Sequence, residues 1–206
     1  MNRKDMSASG EQTNRPRRLA APLQRTWVRN MAGLCVLGAI VGTLFAFDHI
    51  LSDDSTGPLD GRRPEAGKAA PLFALKDGGG TLRRLDDYRG RVVWINFWAT
   101  TCGHCREELP SIQKVASEFG EDRLVVLAIN QRESNANAQD YFDEIGVNLP
   151  ILFDRDGDVS QQYRLQGLPY NFFIDEEGVL RSFKPGYLSE DEMRRRLEAL
   201  GITPRG

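Results

Sequence analysis

Two cysteines stand between a strand-like and a helix-like segment, and this arrangement constrains the fold more than any other feature. Residues 91–97, RVVWINF, are dense in apolar β-branched and aromatic side chains, which is typical of a central strand covered on both faces. Cys102 and Cys105 follow in a C-x-x-C, the spacing of redox or metal chemistry. Apolar residues at helical spacing begin at Leu109. The pattern predicts a strand, then the cysteine pair, then a helix.

The rest of the chain alternates strand-like and helix-like patterns. Further strands are expected at 73–75, 124–130, 151–153, 171–175 and 179–183. The last two are joined by a tight Glu-Glu-Gly turn and predict an antiparallel hairpin. Helical patterns lie around 140–145 and after Ser189, where Glu192 completes a capping box. This order predicts an α/β fold, with a central mixed β-sheet flanked by helices.

The net charge of −2 is the sum of two opposed regions. Residues 1–30 carry seven basic and two acidic side chains, a net charge of +5, whereas residues 48–206 carry 20 basic and 27 acidic ones, a net charge of −7. Residues 31–47 between them carry no charge. The overall net charge does not favour binding to nucleic acid. The contrast between the basic and the acidic region instead indicates how the chain is oriented across a membrane.

The uncharged segment 31–47 predicts one transmembrane helix. Its 17 residues would span about 25 Å as a helix. By the positive-inside rule, residues 1–30 form a basic cytoplasmic leader and everything after residue 48 lies outside the cytoplasm. A cleaved signal peptide and a buried core helix are the alternatives, and a signal peptide would export the domain equally. Cys35 is expected to be an apolar filler within this helix.

The sequence after the uncharged segment predicts a linker and one domain. Residues 48–70 form the predicted linker, because they are rich in Asp, Ser, Gly and Pro and offer little to bury. Residues 71–206 form the predicted globular domain. The chain is long enough for one such domain and short for two.

The position of Cys102 at a helix start suits thiol chemistry. Unpaired backbone N–H groups of a first helical turn favour a thiolate, the form that attacks disulfides. Cys105, one turn further along, is placed to displace a mixed disulfide. A zinc site and an inert structural disulfide are the alternatives. We expect no metal, because His49 and His104 are the only histidines and neither is suitably placed to complete four ligands.

Two motifs together resemble a known family. FWATTCGHCREELP at 97–110 and GLPYNFFIDEEG at 167–178 resemble the membrane-anchored, exported thioredoxin-like proteins of the TlpA/ResA type, and the resemblance runs from about Pro71 to Leu200. It implies a thioredoxin fold, Cys102 as nucleophile, Cys105 as resolving cysteine and no cofactor beyond their redox-active disulfide. It further implies that Pro169 is a cis-proline facing the cysteines. The backbone at Leu168 would pair with a substrate chain.

Glu108 matches an acidic residue typical of this family. Residues i and i+3 share a helix face, so Glu108 is placed to take a proton from Cys105. The alternative is a solvated surface carboxylate paired with His104. Asn96 occupies the position where thioredoxin has a buried acid, and an amide cannot shuttle a proton. Pro110 matches the helix-kinking proline of thioredoxins, a structural role.

Two positions depart from the family pattern. Gly103 and His104 form the Gly-His dipeptide of protein disulfide isomerases, and a protonated imidazole near the thiolate makes a disulfide more oxidising. An exposed loop histidine with little effect is the alternative. Thr101 replaces the tryptophan usual before the first cysteine, which leaves partner specificity open. Thr101, Leu168 and Trp98 are the residues expected to dock substrate.

The function expected is an exported, membrane-tethered thiol-disulfide oxidoreductase acting on protein thiols and disulfides. The resemblance favours a reductant of exported proteins, including apocytochromes during cytochrome c maturation. A single-span protein cannot carry electrons across the membrane, so a separate membrane redox partner would be required. The Gly-His dipeptide favours an oxidant or isomerase instead. A non-catalytic binding module and, less strongly, a peroxidase of the peroxiredoxin type are further alternatives.

Overall fold

The structure is a computed structural model and describes residues 61–205. The predicted leader, the predicted transmembrane helix at 31–47 and residues 48–60 of the predicted linker lie outside these residues. Within residues 61–205, no helix is both long and apolar enough to cross a membrane.

Residues 61–205 contain seven strands and four α-helices. The strands are β1 (Ala74–Asp77), β2 (Leu82–Arg84), β3 (Val92–Trp98), β4 (Leu124–Gln131), β5 (Ile151–Asp154), β6 (Tyr170–Ile174) and β7 (Leu180–Pro185). The helices are α1 (Gly103–Phe119), α2 (Asn135–Ile145), α3 (Asp158–Gln162) and α4 (Glu190–Glu198), with a 3₁₀ turn at Leu85–Tyr88.

All seven strands form one sheet in the order β2-β1-β5-β4-β3-β6-β7. Strands β3, β4 and β5 run parallel, whereas β1 is antiparallel to β2 and β5, and β6 is antiparallel to β3 and β7. The prediction of a central mixed sheet with helices is therefore confirmed. The predicted hairpin is confirmed as β6 and β7. Of the predicted capping box, one hydrogen bond is found, from the Glu192 N–H to the Ser189 hydroxyl, and the Glu192 carboxylate pairs with Arg196 instead.

The central strand β3 is buried on both faces, as its apolar run predicts. Because side chains alternate along a strand, Val93, Ile95 and Phe97 join one apolar cluster. Val92 and Trp94 join another cluster, to which residues of α1 and α4 contribute. A third cluster joins residues of α2 to the carboxyl end of β3. Helices α1, α2 and α4 thus cover the face of Val92, Trp94 and Trp98, and α3 contributes Val159 to the cluster on the other face.

The sheet topology brings two distant segments to one edge. Strand β3 ends at Trp98, and the antiparallel strand β6 begins with Tyr170 opposite Phe97. The residues that follow β3 and those that precede β6 therefore meet at the same end of the sheet. These are the two segments that carry the motifs of the sequence.

Two short elements, β2 and α3, are absent from the sequence prediction. Helix α3 starts where both oxygens of the Asp154 side chain accept backbone N–H groups, from Val159 at 3.1 Å and from Ser160 at 2.7 Å. Such hydrogen bonds depend on side-chain placement and not on apolar periodicity, so the apolar pattern of the sequence does not indicate this helix.

Part of the predicted linker pairs with the sheet. The Gly67 N–H donates to the Leu180 carbonyl at 2.8 Å, and the Leu180 N–H donates to the Lys68 carbonyl at 2.9 Å. Ala69 forms a bridge with Val179, and Ala70 is buried. Residues 67–70 thus contact the domain, while its boundary at residue 71 stays a prediction.

Candidate active site

Cys102 and Cys105 are joined by a disulfide at the start of α1, with their Cα atoms 5.3 Å apart. Cys102 is the N-cap residue, and its sulfur accepts the backbone N–H of Cys105 at 3.2 Å. Cys102 is partly exposed, whereas Cys105 is fully buried. Of the two cysteines, Cys102 is therefore the one that a partner can approach.

The segment before β6 packs on the same apolar cluster as Cys102. The peptide bond between Leu168 and Pro169 is cis, as the resemblance implies. Leu168 is partly buried and packs against the same apolar cluster as Cys102, while Pro169 is buried. The structure thus brings the two motifs together. The docking role of Leu168 and the catalytic role of Pro169 stay predictions.

Glu108 is fully buried one turn after Cys105. Its Oε1 accepts the backbone N–H of Leu188 at 2.7 Å and the Asn171 amide at 3.1 Å. Its Oε2 accepts the Asn96 amide at 3.0 Å. The alternative of a solvated carboxylate paired with His104 is therefore wrong, because all the hydrogen bonds found for Glu108 lie in the core.

A network of buried side chains surrounds this carboxylate. The Asn171 side-chain oxygen accepts the Trp94 indole N–H at 2.8 Å and the Asn96 amide at 2.9 Å. Asn171 in turn donates to Glu108. Asn96 therefore supports the carboxylate from the position where thioredoxin has an acid. Four side chains from β3, β6 and α1 depend on one another for their hydrogen bonds.

Burial raises the pKa of Glu108 to about 7, and its three N–H donors limit that rise. A carboxyl with a pKa near 7 exchanges a proton easily at neutral pH. Since residues three apart on a helix have Cβ atoms about 5–6 Å apart, Glu108 lies close to Cys105. The arrangement can therefore hold a proton next to the buried sulfur.

Thr101, which precedes the N-cap, and Gly103 and His104, which begin α1, are exposed. An added Cβ at Gly103 would meet no atom within 4 Å, so no steric contact requires glycine there. The exposure of His104 and Thr101 is compatible with contact to a partner. The tuning roles of Gly103 and His104 and the docking role of Thr101 stay predictions.

The structure corrects the docking role that the sequence predicts for Trp98. Its side chain is fully buried and stacks on Phe142 at 4.5 Å and on Tyr141 at 5.6 Å between ring centroids. The predicted docking role is wrong for this disulfide form, because a buried indole cannot contact a substrate. The sequence places Trp98 at the end of a strand, and no local pattern indicates that α2 covers its side chain.

Glu133 is a site residue that the sequence analysis missed. Its carboxylate accepts the Thr100 backbone N–H at 3.0 Å, the Thr100 hydroxyl at 2.6 Å and the Asn130 amide at 2.6 Å. It therefore fastens the loop that leads to Cys102 onto the end of β4. No sequence signal marks Glu133, since it lies in a polar loop.

Asn171 was also missed, although a signal exists. It is the one polar residue in the strand YNFFI, and a polar side chain within a buried strand requires a partner. Asn96 interrupts β3 in the same way.

Within residues 61–205, no group of three or more His, Cys, Asp or Glu side chains is placed to hold a metal ion.

Comparison with protein families gives one match covering more than half of the chain. The model of the AhpC/TSA family matches residues 66–183. This range includes the strand β3, the cysteine pair, the buried carboxylate and the cis-proline.

The chain is similar to curated proteins from several bacteria. It is 32% identical over 177 residues to the thiol-disulfide oxidoreductase ResA of Geobacillus thermodenitrificans, covering 86% of this chain and 97% of that protein. It is 33% identical over 137 residues to the thioredoxin-like protein YneN of Bacillus subtilis, covering 65% of this chain and 79% of that protein.

Solved structures share the fold. A protein from Chlorobium tepidum described as a thiol:disulfide interchange protein DsbE superposes with a TM-score of 0.62 at 27% identity, covering 66% of this chain and 98% of its own. The exposed lipoprotein thioredoxin of Streptococcus pneumoniae superposes with a TM-score of 0.55 at 32% identity, covering 63% of this chain and 99% of its own.

Proposed function

Since the chain belongs to the AhpC/TSA family and is a thiol-disulfide oxidoreductase of the ResA type, we propose that it reduces disulfides of exported proteins outside the cytoplasm. The unequal exposure of its two cysteines supports this proposal most directly. Cys102 is accessible at a helix N-cap, whereas Cys105 is buried beside Glu108.

The first step is an attack by Cys102. In the reduced enzyme, the Cys102 thiolate attacks one sulfur of a substrate disulfide, forms a mixed disulfide and releases the other substrate sulfur as a thiolate. The N-terminus of α1 favours this thiolate, because its free backbone N–H groups carry partial positive charge. In the disulfide form, the Cys105 N–H already points at the Cys102 sulfur.

The second step uses Cys105 and Glu108. The Cys105 thiol gives its proton to the Glu108 carboxylate and attacks the Cys102 sulfur. The Cys102–Cys105 disulfide forms, and the second substrate sulfur leaves as a thiolate that takes up a proton. Two electrons pass from the enzyme to the substrate. Glu108 is suited to this step because its pKa of about 7 lets it accept a proton and lose it again near neutral pH.

Regeneration requires a further dithiol. A reduced membrane protein with its own cysteine pair must attack the Cys102–Cys105 disulfide and leave with the oxidised pair. The predicted transmembrane helix at 31–47 would keep the domain near such a donor. Exported apocytochromes, whose haem-binding cysteines must be reduced, are the substrates we propose first.

Trapping of partners tests the exchange mechanism. In a Cys35→Ser background, Cys105→Ser should accumulate mixed disulfides through Cys102, because the resolving sulfur is missing. Cys35→Ser alone is the matched control and should show none. If no mixed disulfide forms with any cellular protein, the enzyme does not act on protein disulfides. Unchanged cellular activity of Cys102→Ser would instead support the non-catalytic binding module.

The reduction potential tests the direction of electron flow. A value near that of thioredoxin, about −270 mV, supports a reductant, and a value of about −120 to −180 mV supports an oxidant or isomerase. The exposed His104 in the first turn of α1 is the observation that favours this second candidate. Loss of c-type cytochromes in a deletion strain, restored by wild type and not by Cys102→Ser, would support the apocytochrome substrate.

The location can be tested separately. A reporter enzyme that folds only outside the cytoplasm, fused after residue 60, should be active. The mass of the mature protein then distinguishes the two exported forms, because an intact leader supports the membrane anchor and a shortened chain supports a cleaved signal peptide. An inactive reporter would contradict export.

A further inference from the structure

One buried oxygen beside Glu108 has no hydrogen-bond donor in the disulfide form. The Asn96 side chain is 1% exposed, and its nitrogen donates to Glu108 at 3.0 Å and to Asn171 at 2.9 Å. Among residues 61–205, no donor is found for the Oδ1 atom of Asn96. Buried oxygens in folded proteins are nearly always paired, because an unpaired one has lost its hydrogen bonds to water without replacement. The unpaired Oδ1 therefore points to a donor that the disulfide form lacks.

The donors around Asn96 are engaged with other acceptors. The Trp94 indole N–H donates to the Asn171 side-chain oxygen at 2.8 Å. The Asn171 amide and the Leu188 N–H both donate to Oε1 of Glu108. The pKa of Glu108 is set by its burial and by these N–H donors together with that of Asn96, and no charged side chain of residues 61–205 is among its causes. The titratable group on the same helix face is the resolving cysteine.

Reduction creates a donor on that helix face. Cys105 is fully buried and precedes Glu108 by three residues on α1, so the Cβ atoms of the two residues lie about 5–6 Å apart. Because Asn96 bonds to Glu108, its amide lies against the same face of the helix. In the disulfide, Cys105 carries no hydrogen on its sulfur, whereas its thiol is a donor. Reduction therefore adds a hydrogen close to the unpaired oxygen.

We propose that the Oδ1 atom of Asn96 accepts the S–H hydrogen of Cys105 in the reduced enzyme, and that this bond favours the dithiol over the disulfide. Asn96 thereby stabilises one redox state only, because its oxygen is paired in the dithiol and unpaired in the disulfide.

The same amide also serves the resolving step. Its oxygen holds the Cys105 thiol, and its nitrogen holds Oε2 of Glu108, the oxygen with the fewer hydrogen bonds. Once Glu108 is ionised, rotation about the Cβ–Sγ bond of Cys105 turns the hydrogen from Asn96 toward the carboxylate. This inference rests on the proposed exchange reaction and adds Asn96 to it as the residue that holds the resolving thiol.

Reduction potentials at pH 5 test this inference on the full chain in a Cys35→Ser background. At this pH Glu108, with a pKa of about 7, is protonated, so an effect that acts through its ionisation is suppressed. Asn96→Leu should shift the equilibrium toward the disulfide about tenfold, which lowers the potential by about 30 mV. Asn171→Ala is the matched control. It also removes an N–H donor from Glu108, but the Asn171 oxygen is already paired in the disulfide form, so its potential at pH 5 should equal that of wild type.

The infrared S–H band of Cys105 gives a second measurement that leaves Asn96 unchanged. A chain with Cys35→Ser and Cys102→Ser retains Cys105 as its one thiol. A hydrogen-bonded S–H absorbs at a lower frequency than a free one, so this band should lie below that of an alkanethiol in an apolar solvent. The band decides the question even where Asn96→Leu does not fold.

Three results would overturn the inference. The first is an S–H band at the frequency of the free thiol. The second is equal potentials of Asn96→Leu and wild type, which is expected if a buried water pairs Oδ1 in both redox states. The third is an equal shift in Asn96→Leu and Asn171→Ala, which would show that Asn96 acts through Glu108 alone. Failure of wild type to reduce any disulfide, glutathione disulfide included, would refute the proposed function instead.

Discussion

The backbone N–H of Leu188 donates a hydrogen bond of 2.7 Å to the buried carboxylate of Glu108. This contact joins the middle of α1 to the loop between β7 and α4, across 80 positions of the chain. It is the shortest of the three hydrogen bonds that hold the carboxylate. One side of Glu108 faces the helix that carries both cysteines, and the other side holds the loop that presents Tyr187.

Replacing Glu108 should alter the pH profile of the resolving step. The carboxylate accepts a proton only when ionised, so the wild-type rate of mixed-disulfide release should rise as the pH passes about 7. Glu108→Gln removes this base and should slow release at pH 8 by about 10²-fold. Single-turnover kinetics between pH 5 and 9 measure it. The matched control is Glu107→Gln, an exposed neighbour on the same helix, which should keep the wild-type profile.

The same substitution should change how stability depends on pH. The pKa of Glu108 is raised from 4.5 to about 7, so the folded protein binds more protons than the unfolded chain between these values. Wild type therefore loses stability as the pH rises from 4.5 to 7, and Glu108→Gln does not suffer this loss. The free energy of unfolding of the variant relative to wild type should rise by about 3 kcal/mol between pH 4 and pH 8. Urea titrations at both pH values measure it, and a constant difference would contradict the raised pKa.

Asn171→Ala should destabilise the fold and raise the pKa of Glu108 further. The substitution removes one N–H donor from the carboxylate and leaves the buried Trp94 indole N–H without its acceptor. We expect a loss of about 2–4 kcal/mol in the free energy of unfolding. The rise of the resolving rate should shift to a pH above that of wild type. Asn137→Ala, at an exposed position of α2, should change neither quantity.

Glu133→Ala should loosen the loop before Cys102. Without the carboxylate, the Thr100 backbone N–H and hydroxyl lose their acceptor, and so does the Asn130 amide. Hydrogen exchange of the Thr100 amide should accelerate at least about tenfold, because local opening no longer breaks these bonds. Glu144→Ala removes an exposed ion pair with Arg106 and should leave this exchange rate unchanged. Equal exchange rates in wild type and Glu133→Ala would show that other contacts hold the loop.

Much of the fold followed from local patterns. The apolar run at 91–97 predicted the central strand β3, and the Glu-Glu-Gly turn predicted the hairpin of β6 and β7. These signals work because burial on both faces and a tight turn each constrain residues that are neighbours in sequence. The sequence did not predict β2 and α3, which are both short. Strand β2 depends on its pairing with β1, and α3 depends on hydrogen bonds to the carboxylate of Asp154.

By itself, the sequence determined the order of strand, cysteine pair and helix, because apolar periodicity and the C-x-x-C spacing are local properties. The resemblance to the TlpA/ResA type also marked Glu108 as a candidate, and helical spacing places it on the face of Cys105. Only the tertiary structure decided that this carboxylate is buried. Its partners Asn171 and Leu188 lie 63 and 80 positions away, and no local pattern reports which distant groups exclude water from a side chain. The same reason explains why Trp98 is covered by α2 while Tyr187 is exposed beside the cis-proline.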